Sequence, residues 1–243
     1  MEIFSGIMWT VLYLLGVFIL GTVVLKWLVR ASDEVVRKTH HIGYTLSVFL
    51  FIELFDPWTV SVAVILGFMV VIFFGALLLE KTPYYHKLLV DRRKEGGEIK
   101  YSVLLGFLSF AILIAVFGNL LPYGDETIVV IAVVGWSLGD ALAALVGKKF
   151  GHRRLILPFA DPKKTTEGSL AMFTGIFIVF LPILFFYGGY PWWATLVMSA
   201  VVAAVSTVVE AIAKKGTDTL FLPLFGALTL YLLILLLNVN GVV

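Results

Sequence analysis

The chain contains no cysteine, which excludes disulfide bridges, thiolate nucleophiles and cysteine-ligated metal sites. Charge is scarce as well. Of 243 residues only 14% are charged while 60% are hydrophobic, against roughly a quarter charged in an ordinary soluble domain. Such depletion at this length means that long stretches never meet water. No Gly-x-x-x-x-Gly-Lys-Ser/Thr run occurs, so a P-loop kinase is excluded. Neither is there a basic segment ahead of the first apolar run, which begins after Met1-Glu2; that run is long enough to span and is expected to be a retained helix rather than a cleaved signal. No strong internal repeat and no long linker divides the chain, so a single transmembrane domain over residues 1–243 is expected, with no nucleic-acid partner.

What is present is a series of apolar runs. A helix crossing the hydrocarbon core needs roughly 20 apolar residues, and suitable stretches lie near 6–28, 40–55, 58–79, 101–121, 127–147, 169–187, 192–213 and 218–238. They predict an all-α, polytopic integral membrane protein of about eight transmembrane helices. The second is the weakest: its apolar part, Leu46 to Phe55, is short and includes Glu53, and the helix is expected to extend below the membrane through Val35 to Gly43. Asp56-Pro57, Pro122, Gly188-Gly189 and Gly216-Thr217-Asp218 punctuate the breaks.

The eighteen Lys and Arg are placed with complete one-sidedness on that map. Lys26, Arg30, Arg37 and Lys38 fall between spans one and two, and Lys81, Lys87, Arg92, Arg93, Lys94 and Lys100 between three and four. Lys148, Lys149, Arg153, Arg154, Lys163 and Lys164 fall between five and six, and Lys214 and Lys215 between seven and eight. The other connections and both termini carry none. Lys and Arg enrichment marks cytoplasmic loops, so both termini are expected outside and the polar machinery on the cytoplasmic face of the cell membrane. Anchoring to anionic headgroups would explain these bases, but not the acids and histidines among them.

Four clusters stand out. Arg37-Lys38-Thr39-His40-His41, read as a helix, sets Arg37 and Lys38 on the side of His41, two cations beside an imidazole, suited to an anionic phosphate and to proton transfer. A basic membrane anchor explains that cluster equally well. Gly139, Ala143, Gly147 and Gly151 recur every four residues, a small-residue stripe for close helix contact, within one subunit or between two. Asp140 lies in that segment about 10 Å inside the basic end; an intramembrane carboxylate is a functional candidate. Asp161-Pro162-Lys163-Lys164-Thr165-Thr166-Glu167-Gly168-Ser169 can simply start a helix, yet it also offers ammonium groups, hydroxyls and a carboxylate suited to a polyphosphate and a divalent metal. Thr207, Glu210 and Lys214 form a polar stripe, in which a Glu210–Lys214 ion pair is the structural alternative, and Asp218 suits a helix N-cap. His86 and His152 lack metal-site spacing. Trp58, Trp192 and Trp193 suit the outer interface.

In this order the clusters resemble the family of CTP-dependent lipid kinases, which includes dolichol kinase, phytol and farnesol kinases and the fungal CTP-dependent diacylglycerol kinase. The matching residues are Arg37-Lys38-x-x-His41, then Gly139-Asp140 with Ala143 and Gly147, then Lys164-Thr165-x-Glu167-Gly168-Ser169, then Thr207-x-x-Glu210 and Asp218 with Pro223. The resemblance covers about residues 35 to 225 and is nearest the phytol, farnesol and polyprenol branch. Thr219 departs from it, standing where many relatives have Asn. Part of the pattern, Asp140 with Pro162-Lys163-Lys164-Thr165 and Glu167-Gly168, also resembles CDP-diacylglycerol synthases, but their C-terminal Lys-Asp and Pro-Gly-His-Gly-Gly signature is absent.

The resemblance implies phosphoryl transfer from CTP to the hydroxyl of an isoprenoid alcohol such as phytol, farnesol, geranylgeraniol or a polyprenol. It implies that Arg37, Lys38, Lys148, Lys163 and Lys164 hold the triphosphate with Thr165, Gly168 and Ser169. Mg²⁺ or another divalent cation would sit on Asp140, Glu210 and Asp218, with Asp140 central to catalysis and Glu167 or His41 as general base. The alternatives are a phosphatidate cytidylyltransferase-like transfer of CMP to a lipid phosphate, and a transporter. Transporter sites usually lie near the midplane on interrupted helices, whereas these polar residues gather at one face. The alcohol's identity and any homo-oligomeric state are left open.

Overall fold

The computed structural model describes residues 2–82, 85, 98–156, 164–213 and 216–239. Lys163, Asp161, Pro162, His86, Lys214 and Lys215, all singled out above, lie outside the described residues, as do Lys87 and Arg92 to Lys94. Among the described residues the chain is helical, without strands, and with one isolated antiparallel bridge between Arg154 and Thr165. Seven helices are long and apolar enough to cross a membrane. Val71, Phe74 and Leu78 on one of them are 58–70% exposed, a surface that suits lipid and not water. The chain is a polytopic integral membrane protein.

By compactness the chain divides into two units, Met1–Ala111 and Ile112–Val243. In the first, α1 runs from Glu2 to Leu28, α-helical over Glu2–Ile19 and π-helical over Leu20–Leu28. The span expected at 40–55 begins earlier, in line with its expected extension through Val35 to Gly43, but is interrupted: α2, Asp33–Leu46, and α3, Val48–Glu53. Ser32 starts it, its Oγ accepting from Val35 N with Asp33 and Glu34 in the first turn. Ser47 interrupts it, its backbone N–H and hydroxyl both donating to the Tyr44 carbonyl. The polar first half of α2 keeps this segment out of the seven apolar spans. Next come α4, Trp58–Glu80, and α5, Glu98–Ile112, the latter continuing as a π-helix over Leu113–Leu120. Phe51, Phe68, Phe107 and Phe110 form an aromatic core around which Tyr44 packs, and Lys100 Nζ bonds Glu80 Oε2 at 2.7 Å.

In the second unit α6, Glu126–Phe150, is the most enclosed span, 72% of its most apolar stretch buried against 6% for α4. Helix α7 follows at Thr166–Pro182, with π-turns over Ile183–Tyr187, then α8, Trp192–Ile212, and α9, Asp218–Leu237. Helix α7 packs on α6, α8 on α7, and α9 on both α8 and α6, which closes a ring of four antiparallel helices. Antiparallel order has one consequence for function. The C-termini of α6 and α8 and the N-termini of α7 and α9 meet at the same end of the ring.

Candidate active site

That end is held together by backbone as much as by side chains. After α6 the chain turns back through a short hairpin, in which Leu155 N donates to the Lys164 carbonyl at 3.0 Å and Thr166 N to the Arg153 carbonyl at 2.9 Å. Thr165 then caps α7, its Oγ1 accepting from Gly168 N at 3.2 Å. Glu167, in the first turn, reaches back to the hairpin. Its Oε1 accepts from His152 N at 3.1 Å and Arg153 N at 3.2 Å, and its Oε2 lies 3.3 Å from Arg153 N. Both oxygens of this candidate base therefore hold the loop that carries Lys164.

The small-residue stripe is the seam between α6 and α7. A Cβ on Gly168 would stand 2.8 Å from the Ala143 carbonyl oxygen and 3.2 Å from Gly147 Cα, so the two backbones touch here. Thr165 Oγ1 lies over Gly147, and further in, Ile176 and Met172 lie over Gly139. The stripe is thus used inside one subunit.

Across the ring, Lys164 Nζ bonds Glu210 Oε1, joining the residue before the α7 cap to the last turn of α8. Glu210 is only 2% exposed, and this pairing is with a residue 46 positions away; the Glu210–Lys214 pair offered as the structural alternative falls on a residue outside those described. Burial alone would lower the Lys164 pKa, but the charge and hydrogen bond of Glu210, together with the charges of Asp218 and Asp140, outweigh it and raise the pKa above the ordinary lysine value. The ammonium is charged at neutral pH. Lys164 thus feels the charges of three other sequence-derived candidates, Glu210 on α8, Asp218 at the start of α9 and Asp140 on α6. Asp218 is not the cap: Thr217 holds that position, and Asp218 Oδ1 accepts from Thr219 N at 3.0 Å. Ser169 Oγ is buried on the first turn of α7 with no hydrogen-bond partner among the described residues. Lys148 is exposed near the end of α6. Two helix N-termini, two lysines and a buried hydroxyl make this end receptive to an anion.

Arg37, Lys38 and His41 belong to the first unit, on α2. Arg37 pairs with Glu34, three residues earlier, and Lys38 is 2% exposed. Nearby His40, which had no role in the sequence reading, helps hold α2 against α1, as does Tyr13, whose hydroxyl donates to the Gly43 carbonyl at 2.8 Å. The imidazole stacks on Phe18 at 5.9 Å and lies 3.3 Å, Nε2 to Oγ1, from Thr22, where α1 widens into its π-helical segment. The signal for this was Gly21-Thr22 inside an apolar run, since Gly21 leaves the space the ring fills. The hairpin pairing and the grip of Glu167 on backbone amides had no sequence signal at all.

The chain is 29% identical over 215 residues to the phytol kinase of Synechocystis sp., covering 88% of this chain and 85% of the relative. It is 32% identical over 130 residues to phytol kinase 1, chloroplastic, of Arabidopsis thaliana, covering 51% of this chain and 42% of that longer protein. No solved structure matches it. The match to the cytidylyltransferase family runs over residues 1–239, which takes in every helix described above, and the chain belongs to that family.

Proposed function

We propose that the protein transfers the γ-phosphoryl group of CTP to the hydroxyl of a membrane isoprenoid alcohol. The observation that carries this reading is the buried Lys164–Glu210 pair with Asp140 and Asp218 around it, at the end of the ring where two helix N-termini meet. Similarity to phytol kinases supports the acceptor class, and the family supports a cytidine nucleotide. In the reaction the alcohol oxygen bonds to the γ-phosphorus, its proton passes to a base or to water, the bond from that phosphorus to the β,γ-bridging oxygen breaks, and CDP leaves with the electron pair. Such transfer asks a protein chiefly for positioning and charge neutralisation. Lys164, Lys148 and Lys163 would neutralise the triphosphate, and Ser169 Oγ would donate to it. The roles of Arg37 and Lys38 on the nucleotide, and of His41 as base, rest on the sequence resemblance. So do the cytoplasmic placement of the basic connections and both termini outside, which require the α2–α3 segment to count as a crossing.

Among the described residues no three His, Asp or Glu side chains form a metal site by themselves. Mg²⁺, however, is usually held by one or two carboxylates together with substrate phosphates and water. The oxygen donors of Asp140, Glu210 and Asp218 fit that hard ion, and a buried carboxylate such as Glu210 needs a cation beside it. When bound, the ion would neutralise charge on the phosphates.

Glu167 is assigned as a positioning residue. Glu167→Gln is expected to raise the KM for CTP severalfold while kcat stays within about tenfold, because a lost general base would reduce kcat by about 10² to 10⁴. Steady-state kinetics with each substrate varied separates the two. The family itself favours a second reading, attack of a lipid phosphate on the α-phosphorus with loss of pyrophosphate. Purified protein with Mg²⁺, CTP and a panel of farnesol, geranylgeraniol, phytol, a polyprenol, diacylglycerol and phosphatidic acid tests both. CDP formation that depends on an isoprenoid alcohol is expected; pyrophosphate release that depends on phosphatidic acid would transfer the assignment to the second reading.

A further inference from the structure

We propose that the hairpin following α6 is a docking surface for the anionic phospholipid headgroups of the bilayer that holds the protein. Helix α6 has 25 residues and is ~37 Å long at ~1.5 Å per residue, against ~30 Å of hydrocarbon core. Glu126 marks one of its ends and Lys148 and Lys149 the other. Its last turn therefore leaves the core among the headgroups, and the hairpin begins there. Lys149, Arg153 and Arg154 are exposed, and none has an acidic side-chain partner among the described residues. The nearby Glu167 carboxylate is engaged by the backbone amides of His152 and Arg153 and by no guanidinium. Charge alone would suit any polyanion, a soluble acidic protein segment included. Two apolar side chains decide for lipid. Ile156 is 95% exposed and Phe150 53% exposed, and Lys149 Nζ lies 5.1 Å from the centre of the Phe150 ring. Apolar groups set among cations match a membrane interface, where the first enter the acyl boundary and the second stay with the phosphates. The hairpin is also held in a fixed shape. Leu155 N donates to the Lys164 carbonyl and Thr166 N to the Arg153 carbonyl. A headgroup on Arg153 and Arg154 is thus joined through backbone hydrogen bonds to the segment that carries Lys164 and the α7 cap. The proposal does not depend on the phosphoryl-transfer reading.

The chain has no cysteine, so Ile156→Cys in the full-length protein takes a single apolar, environment-sensitive fluorophore. The labelled protein is placed in nanodiscs of phosphatidylcholine, in nanodiscs of two parts phosphatidylcholine to one part phosphatidylglycerol, and in the neutral nanodiscs with soluble polyglutamate added. Emission is expected to shift to the blue in the anionic discs alone and to return in high salt, which screens exposed charges. With Arg153→Gln and Arg154→Gln added, most of the shift should be lost. Equal emission in neutral and anionic discs would overturn the proposal, and so would a shift that survives loss of both arginines. A shift with polyglutamate and none with anionic lipid would overturn it too, and would assign the surface to a soluble acidic partner. A second measurement uses unlabelled protein that keeps Ile156. Phosphatidylglycerol added to a neutral detergent is expected to raise the unfolding temperature of the wild type by about 2 °C or more. The double arginine variant should unfold with the wild type in neutral detergent, which shows that it is folded, and gain nothing from the lipid. Equal stabilisation of the two proteins would also overturn the proposal.

Discussion

Asp140→Asn is expected to leave the four-helix ring folded and to reduce turnover by about 10³-fold or more, the scale on which a lost charge-stabilising group acts in phosphoryl transfer. The two parts of this expectation come from different features. Stability is spared because the amide keeps the size of the carboxyl group and an acceptor oxygen. It is spared also because Glu210 keeps Lys164 as its partner. Removing one of the acids that surround that pair also relieves like-charge repulsion. Turnover is lost because the cluster no longer has the negative charge needed to hold a divalent ion against an incoming triphosphate. The measurement is kcat beside the unfolding temperature. Wild-type turnover in a folded variant would remove Asp140 from the chemistry.

The second large effect is structural. Gly168→Val is expected to destabilise the protein by about 3 kcal/mol, at the upper end of the usual range for overpacking, and to abolish activity with it. The new side chain meets backbone on both sides, the Ala143 carbonyl oxygen at 2.8 Å and Gly147 Cα at 3.2 Å. Neither can rotate away, so α6 and α7 must separate. Separation carries off Thr165, its cap, and Lys164 before it, which loses Glu210. Gly75→Ala on α4 is the control: nothing lies within 4 Å of its Cβ position, and Ala favours a helix by roughly 0.5–1 kcal/mol. Chemical or thermal unfolding in the same detergent reads both. Equal stability of the two variants would show that the α6–α7 contact is looser than described.

Much of this was legible in the sequence because the membrane makes the code simple. Spans declare themselves by apolar length, and seven emerge where expected. The exception is instructive. At 40–55 hydropathy alone marks a short, weak span, whereas the helix starts at Asp33 under a Ser32 cap and is interrupted at Ser47, both local hydrogen-bonding events that hydropathy does not register. In the site, Asp140, Lys164, Glu210 and Asp218 were legible one by one, since a charge in or beside an apolar run is costly and calls for a reason. Their partnerships were not. The i, i+4 spacing of Glu210 and Lys214 is a local pattern, while the Lys164–Glu210 pair is created by the antiparallel ring, which sequence periodicity does not encode. Glu167 was legible as a carboxylate near phosphate-binding residues, but its hydrogen bonds go to backbone amides of His152 and Arg153, groups that every sequence possesses and none advertises.

The central claim is that the cluster at this end of the ring moves the terminal phosphorus of a nucleotide. The most direct test supplies the purified protein with Mg²⁺, a long-chain isoprenoid alcohol, phosphatidic acid, and CTP labelled in separate reactions at the γ or the α phosphorus. Label is expected to reach the alcohol from the γ position only, and Asp140→Asn is expected to stop it. Label reaching phosphatidic acid from the α position would contradict the claim and assign the same residues to nucleotidyl transfer.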